Sequence, residues 1–157
     1  TPPPQTTSII NNQILIDSYT WEDSLGVNFF IRSKTKTINS KHIYFHHFVD
    51  YKNEFFLIRK HVDYIKNCDT NNITNHLLES IQITDLNENN IAEITCAYTT
   101  GCLEKQKKIL LLTEGKKYFL RGDGKIKNSY KIGSELKKEP EFLRFMQKKW
   151  GYESNEK

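Results

Sequence analysis

The chain has 157 residues, 37% of them hydrophobic and 27% charged, with a net charge of +4. That length and apolar fraction suit one domain with a real core, and no run approaches the ~18 apolar residues of a membrane helix, so a helical membrane span is excluded. The charge is unevenly distributed: residues 104–157 hold 15 Lys and Arg against 8 Asp and Glu, while residues 1–103 hold 8 against 11.

The opening Thr1-Pro2-Pro3-Pro4-Gln5-Thr6-Thr7-Ser8 has no apolar period and little capacity to join a sheet or helix, so residues 1–8 read as a flexible tether. No methionine begins it, as would follow from removal of a signal segment or from trimming for expression. Beyond it, short runs rich in Ile, Phe, Tyr and Thr are punctuated by Asn, Asp and Gly at intervals of about ten residues, the pattern of antiparallel β structure. Strands are expected near residues 9–20, 26–35, 41–50, 54–65, 79–84, 91–99, 107–113 and 116–121. Asp23-Ser24-Leu25-Gly26 can reverse the chain, Tyr51-Lys52-Asn53 separates two aromatic runs closely enough for a hairpin, and Glu114-Gly115 makes a tight turn whose glycine permits positive φ.

On the strand "KHIYFHHFV", alternation puts His42, Tyr44, His46 and Phe48 on one face and Ile43, Phe45, His47 and Val49 on the other. Two histidines on a face lack a third metal ligand, so they read as surface or half-buried aromatics. The stretch Asn71–Leu78 fits a short helix or a loop and is assigned to neither.

The segment "ITDLNENNIAEI" spaces oxygen-bearing groups at every second residue: Asp85, Asn87 and Asn89, then the backbone carbonyl of Ile91, then Glu93. Calcium takes about six to eight hard oxygens from such a series. Asn90 stands where a calcium loop has glycine, and only Asp85 and Glu93 carry charge. The alternative is a structural turn in which Asn and Asp bond their own backbone.

Of the three cysteines, Cys96 shares a strand face with Ile94 and Tyr98 and is expected to be a buried thiol. Cys68 and Cys102 border loops at strand ends, where an oxidising compartment would allow a disulfide between them; in a reducing one all three are thiols. The basic residues Lys107, Lys108, Lys116, Lys117, Arg121, Lys125 and Lys127 are a candidate face for an anionic ligand, set against the plainer reading of a solvated surface. Arg121-Gly122-Asp123 spells an adhesion tripeptide but also carries a turn signal at Asp123-Gly124.

From Pro140 the period changes. Phe142, Phe145, Met146, Lys149 and Trp150 recur at three- and four-residue steps and Gly151 follows as a terminator, which predicts an amphipathic helix packed on the sheet, with residues 152–157 as a disordered tail. The fold expected is mainly β: a single antiparallel β-rich domain over residues 9–151, closed by this helix. No nucleophile elbow, zinc-protease helix, P-loop or dinucleotide fingerprint occurs.

Two resemblances rest on these residues. The Asp85 series resembles the integrin-type FG-GAP loop, D-x-D/N-x-D/N-G-x-x-D/E, with Asn90 departing from its glycine. More broadly, from about Tyr19 to Trp150, "YTWEDSLGVNFFIRS", "DYIKNC", "SIQITDLNENNIAEI", "YTTGC", "GKKYFLRG" and "EPEFLRFMQKKW" resemble, in that order, a family of small bacterial surface polysaccharide biosynthesis proteins. These are secreted or lipid-anchored proteins of Gram-negative bacteria. The resemblance implies an extracytoplasmic location (periplasm, outer membrane or cell surface), a lipid anchor upstream of the chain, and a disulfide between Cys68 and Cys102. The segment "LEKQKK" after Cys102 is shorter than the family's polar insertion.

The function expected is that of a non-enzymatic extracytoplasmic domain associated with cell-surface polysaccharide biosynthesis or binding, without a cofactor unless the Asp85 series holds calcium. Its partner would be a cell-surface glycan or a protein, not nucleic acid. The alternative is a periplasmic inhibitor or immunity protein that binds a toxin or hydrolase.

Overall fold

The computed structural model describes residues 13–35, 42–64, 80–100, 106–122 and 130–154. It is mainly β, with two antiparallel sheets followed by one C-terminal helix. Within the span expected as a single domain, the chain groups into two compact units, Thr1–Lys66 and Asn67–Lys157.

The first unit is a four-stranded meander of β1 (Gln13–Asp23), β2 (Gly26–Thr35), β3 (His42–Tyr51) and β4 (Glu54–Tyr64), in that spatial order. Its turns follow local chemistry. Lys52 and Asn53 both have positive φ, 52° and 65°, as a two-residue primed turn demands. Gly26 has φ +124°, and a Cβ there would lie 2.4 Å from the Asp50 carbonyl oxygen. β2 and β3 are buried on both faces: Phe30 and Phe45 on one, Ile31 and His46 on the other. Of the histidines on β3, His42 is half-buried, as expected, whereas His46 and His47 are buried and are not surface aromatics. His46 is 0% exposed and its ring stacks between those of Tyr44 and Phe48.

The same sheet holds two partly buried polar networks around the buried Arg32 and Asn28. The Arg32 guanidinium donates from Nε to Asp17 Oδ1 at 2.7 Å and from Nη2 to Asp17 Oδ2 and to the Tyr19 hydroxyl, a charge-assisted fork that compensates its burial. At the first turn, His47 Nε2 donates to Asn28 Oδ1 at 2.8 Å, and Asn28 Nδ2 donates to Asp23 Oδ1 and the Gly26 carbonyl. Trp21 stacks on His47 at 5.4 Å and donates to Asp23 Oδ2.

The second unit is a five-stranded meander of β5 (Gln82–Thr84), β6 (Glu93–Thr100), β7 (Gln106–Thr113), β8 (Lys116–Gly122) and β9 (Tyr130–Ile132), then a 3-10 turn at Leu136–Lys138 and helix α1 (Pro140–Ser154). Ala97, Ile109, Leu111, Tyr118 and Leu120 share one sheet face and pack with Leu136, Phe142, Met146 and Trp150, so the helix does lie on a sheet. Each of the large helix side chains buried there stabilises the unit by about 2 to 3 kcal/mol. Pro140 opens the helix, where its missing N–H costs nothing. The helix runs to Ser154 rather than stopping at Gly151, because Gly151 is not in the left-handed conformation that a terminator needs. The short strand β9 was not foreseen: three residues carry too little alternation to announce themselves.

Candidate functional site

The register of the second sheet decides which basic residues meet. Lys108 of β7 lies directly opposite Arg121 of β8, and Arg121 directly opposite Lys131 of β9, so three cations form a row across adjacent strands, spanning about 10 Å at ordinary strand spacing. Alternation puts this row on the face away from α1, because Ile109, Leu120 and Ile132, one residue along in each strand, belong to or pack against the helix-side core. Two residues down β8 the ring of Phe119 is flanked by Arg121, 5.6 Å from its centroid, and by Lys117 at 6.0 Å. Arg121 and Lys131 form no ion pair with a carboxylate among the described residues. Like charges placed directly opposite destabilise a sheet, so the Arg121–Lys131 pair is an arrangement that folding alone does not favour.

A cleft of about 420 Å³ opens beside the row, lined by Gln106, Arg121, Gly122, Tyr130 and Lys131. The Tyr130 ring meets Trp150 edge-on at 5.3 Å on the helix side.

The basic set expected from sequence is thus divided. Lys108, Lys117 and Arg121 share the face of the row. Lys107 lies on the helix side, its ammonium 5.3 Å from the Trp150 ring, and Lys116 begins β8 opposite Thr113, beside the Glu114-Gly115 turn. Lys125 and Lys127 lie outside the described residues. Lys131 and Tyr130 escaped the sequence reading because β9 did, with only the alternation of "YKI" to hint at them, and Gln106 escaped it because β7 begins one residue earlier than expected. In the adhesion tripeptide, Arg121 and Gly122 belong to β8, and Asp123 lies outside the described residues, as do Cys68, Cys102 and Asn71–Leu78. Cys96 is fully buried on β6.

The Asp85 series folds as a self-bonded turn. Asp85 Oδ1 accepts from the Asn89 amide at 3.1 Å and Oδ2 from the Asn90 amide at 3.0 Å, while Asn89 Oδ1 accepts from the Ile91 amide. Asn90, at the glycine position, adopts φ 62°, and Glu88 φ 57°. No contact of Asn87 is needed to close the turn. Glu93 is 0% exposed; its Oε1 accepts from the Leu86 amide at 2.7 Å and the Thr84 hydroxyl at 2.9 Å, and Leu86 packs against the helix-side core. Burial raises the Glu93 pKa above the usual carboxyl value; the two hydrogen bonds oppose this and the charges of Asp85 and Glu141 add to it. Both Asp85 oxygens and Glu93 Oε1 thus hold the turn, the self-bonded arrangement that is the alternative to a calcium loop.

No family model matches the chain, and neither a curated protein nor a solved structure matches it.

Proposed function

We propose that the protein is a non-enzymatic extracytoplasmic module that binds an anionic cell-surface glycan. The observation that carries this reading is the cross-strand row of Lys108, Arg121 and Lys131, a local concentration of positive charge on a sheet face in the basic third of the chain. A negative charge on a polymer would relieve the repulsion between Arg121 and Lys131, which face each other across β8 and β9. The resemblance to surface polysaccharide biosynthesis proteins and the positions of Cys68 and Cys102 support the extracytoplasmic setting. Titration of the full chain with an acidic polysaccharide such as alginate, at increasing salt, is the test: binding should weaken as salt screens the charges, and replacing Lys108, Arg121 and Lys131 together by Gln should weaken it by about tenfold or more. Absence of salt-sensitive binding overturns the reading.

A second reading, a periplasmic inhibitor or immunity protein directed at a toxin or hydrolase, is favoured by β4. This strand is outermost in its sheet among the described residues and exposes Phe56, Leu57, Val62 and Tyr64, and exposed apolar edges invite strand pairing with a partner. Loss of partner capture on replacing Leu57 and Val62 by Lys, with the basic row intact, would support it.

A further inference from the structure

We propose that the cleft beside the basic row seats a single ring-sized unit bearing an oxyanion, of the kind presented by a sugar acid or a sugar phosphate. This rests on the reading of that face as anion-binding but makes a narrower claim: one monomer is recognised, and not merely the charge density of a polymer.

The chemistry of the walls carries it. Arg121 and Lys131 are direct cross-strand partners, so their Cβ atoms lie about 5 Å apart, and neither pairs with a carboxylate among the described residues. One oxyanion between them turns a repulsive pair into two attractive ones. The planar guanidinium can bind it through two parallel N–H groups and the ammonium as a point charge. Gln106 offers both a donor and an acceptor, which suits ring hydroxyls. Gly122 and Tyr130 border the cleft at the strand ends, while the Tyr130 ring itself turns to the helix side against Trp150, so the side-chain contacts to a ligand come from Arg121, Lys131 and Gln106. A volume of about 420 Å³ lies within the range of about 300–1,000 Å³ usual for small-molecule sites and would be left mostly unfilled by an inorganic ion.

The test is titration of the full chain with glucuronic acid, glucose 1-phosphate, glucose and inorganic phosphate, read by amide chemical shifts. Either or both sugar anions should bind saturably, and at least about tenfold more tightly than glucose or inorganic phosphate. Binding of the uronate alone identifies a carboxylate ligand, and of the sugar phosphate alone a phosphate. Arg121→Gln and Lys131→Gln should each weaken binding by about tenfold, whereas Lys116→Gln, outside the row, should leave it unchanged. Lys131→Gln should also raise the melting temperature of the unliganded protein by relieving the like-charge pair, which shows at the same time that the variant folds. The inference fails if neither sugar anion saturates, if glucose or inorganic phosphate binds as tightly, or if Lys131→Gln binds like wild type. Polymer binding without monomer binding overturns the cleft and leaves the wider reading of the face; monomer binding without polymer binding does the reverse.

Discussion

The imidazole of His46 is completely buried, and neither ring nitrogen meets a hydrogen-bond partner among the described residues. Burial, with the charge of Lys60 adding to it, lowers its pKa to about 4. His47 also falls to about 4, lowered by burial and partly restored by Asp23. In the unfolded chain both return to about 6.5, so between those values the unfolded state takes up protons that the folded state refuses. The stability they contribute is complete above pH ~6.5 and is lost as pH falls towards 4, by up to about 3 kcal/mol for each. His46→Phe should keep the stacking, remove two unpaired buried nitrogens, hold or raise stability at pH 7 and flatten this acid slope; urea unfolding at several pH values measures both. His47→Phe should instead cost about 1 to 3 kcal/mol, because it strands the buried Asn28 oxygen. Glu93 has the opposite sign. Its pKa is raised in the fold, so stability falls as pH rises from the ordinary carboxyl value through the folded one. Glu93→Gln keeps an acceptor for Leu86 and Thr84 and should remove that dependence, while Glu93→Ala should cost about 1 to 3 kcal/mol at any pH.

At the scale of elements, the tight turns depend on backbone conformation and on what lies beside it. Gly26 combines a positive φ with the Asp50 carbonyl in its path, so Gly26→Ala has nowhere to put a methyl and should cost more than about 2 kcal/mol, measurable by denaturant unfolding. Gly115 has φ 73° beside Glu114 at 50°. These turns were legible in sequence because they are local: glycine and asparagine are among the few residues that enter the left-handed region readily. Strands β2 to β8 were legible through alternation, with ends displaced by a few residues. The helix was legible through its period, but its end was not, since glycine within a helix is penalised and not forbidden. The Asp85 series illustrates the remaining difficulty. Its spacing suits a calcium loop and a self-bonded turn equally, and only hydrogen-bond directions separate the two.

Taken as a whole molecule, the chain carries one tryptophan in each unit, Trp21 in the first and Trp150 in the second. Trp21 stacks on His47, whereas Trp150 lies in the core beneath α1. Acidification should therefore shift the Trp21 indole signal, and then abolish it, before that of Trp150; simultaneous loss of both in an NMR titration would contradict the assignment of acid sensitivity to the histidines of the first unit. The uneven charge belongs to this scale too. An excess of lysine and arginine in the last third is visible on counting, but counting does not arrange those residues on a surface. Composition, alternation and turn residues, all local properties, determined that the chain is mainly β, antiparallel and closed by an amphipathic helix. Only the tertiary structure decided that Lys108, Arg121 and Lys131 stand in one row while Lys107 turns to the helix. Strand register is set by pairing between distant segments, and a slip of one residue exchanges the faces. That row, and the cleft that a three-residue strand completes, are products of register alone.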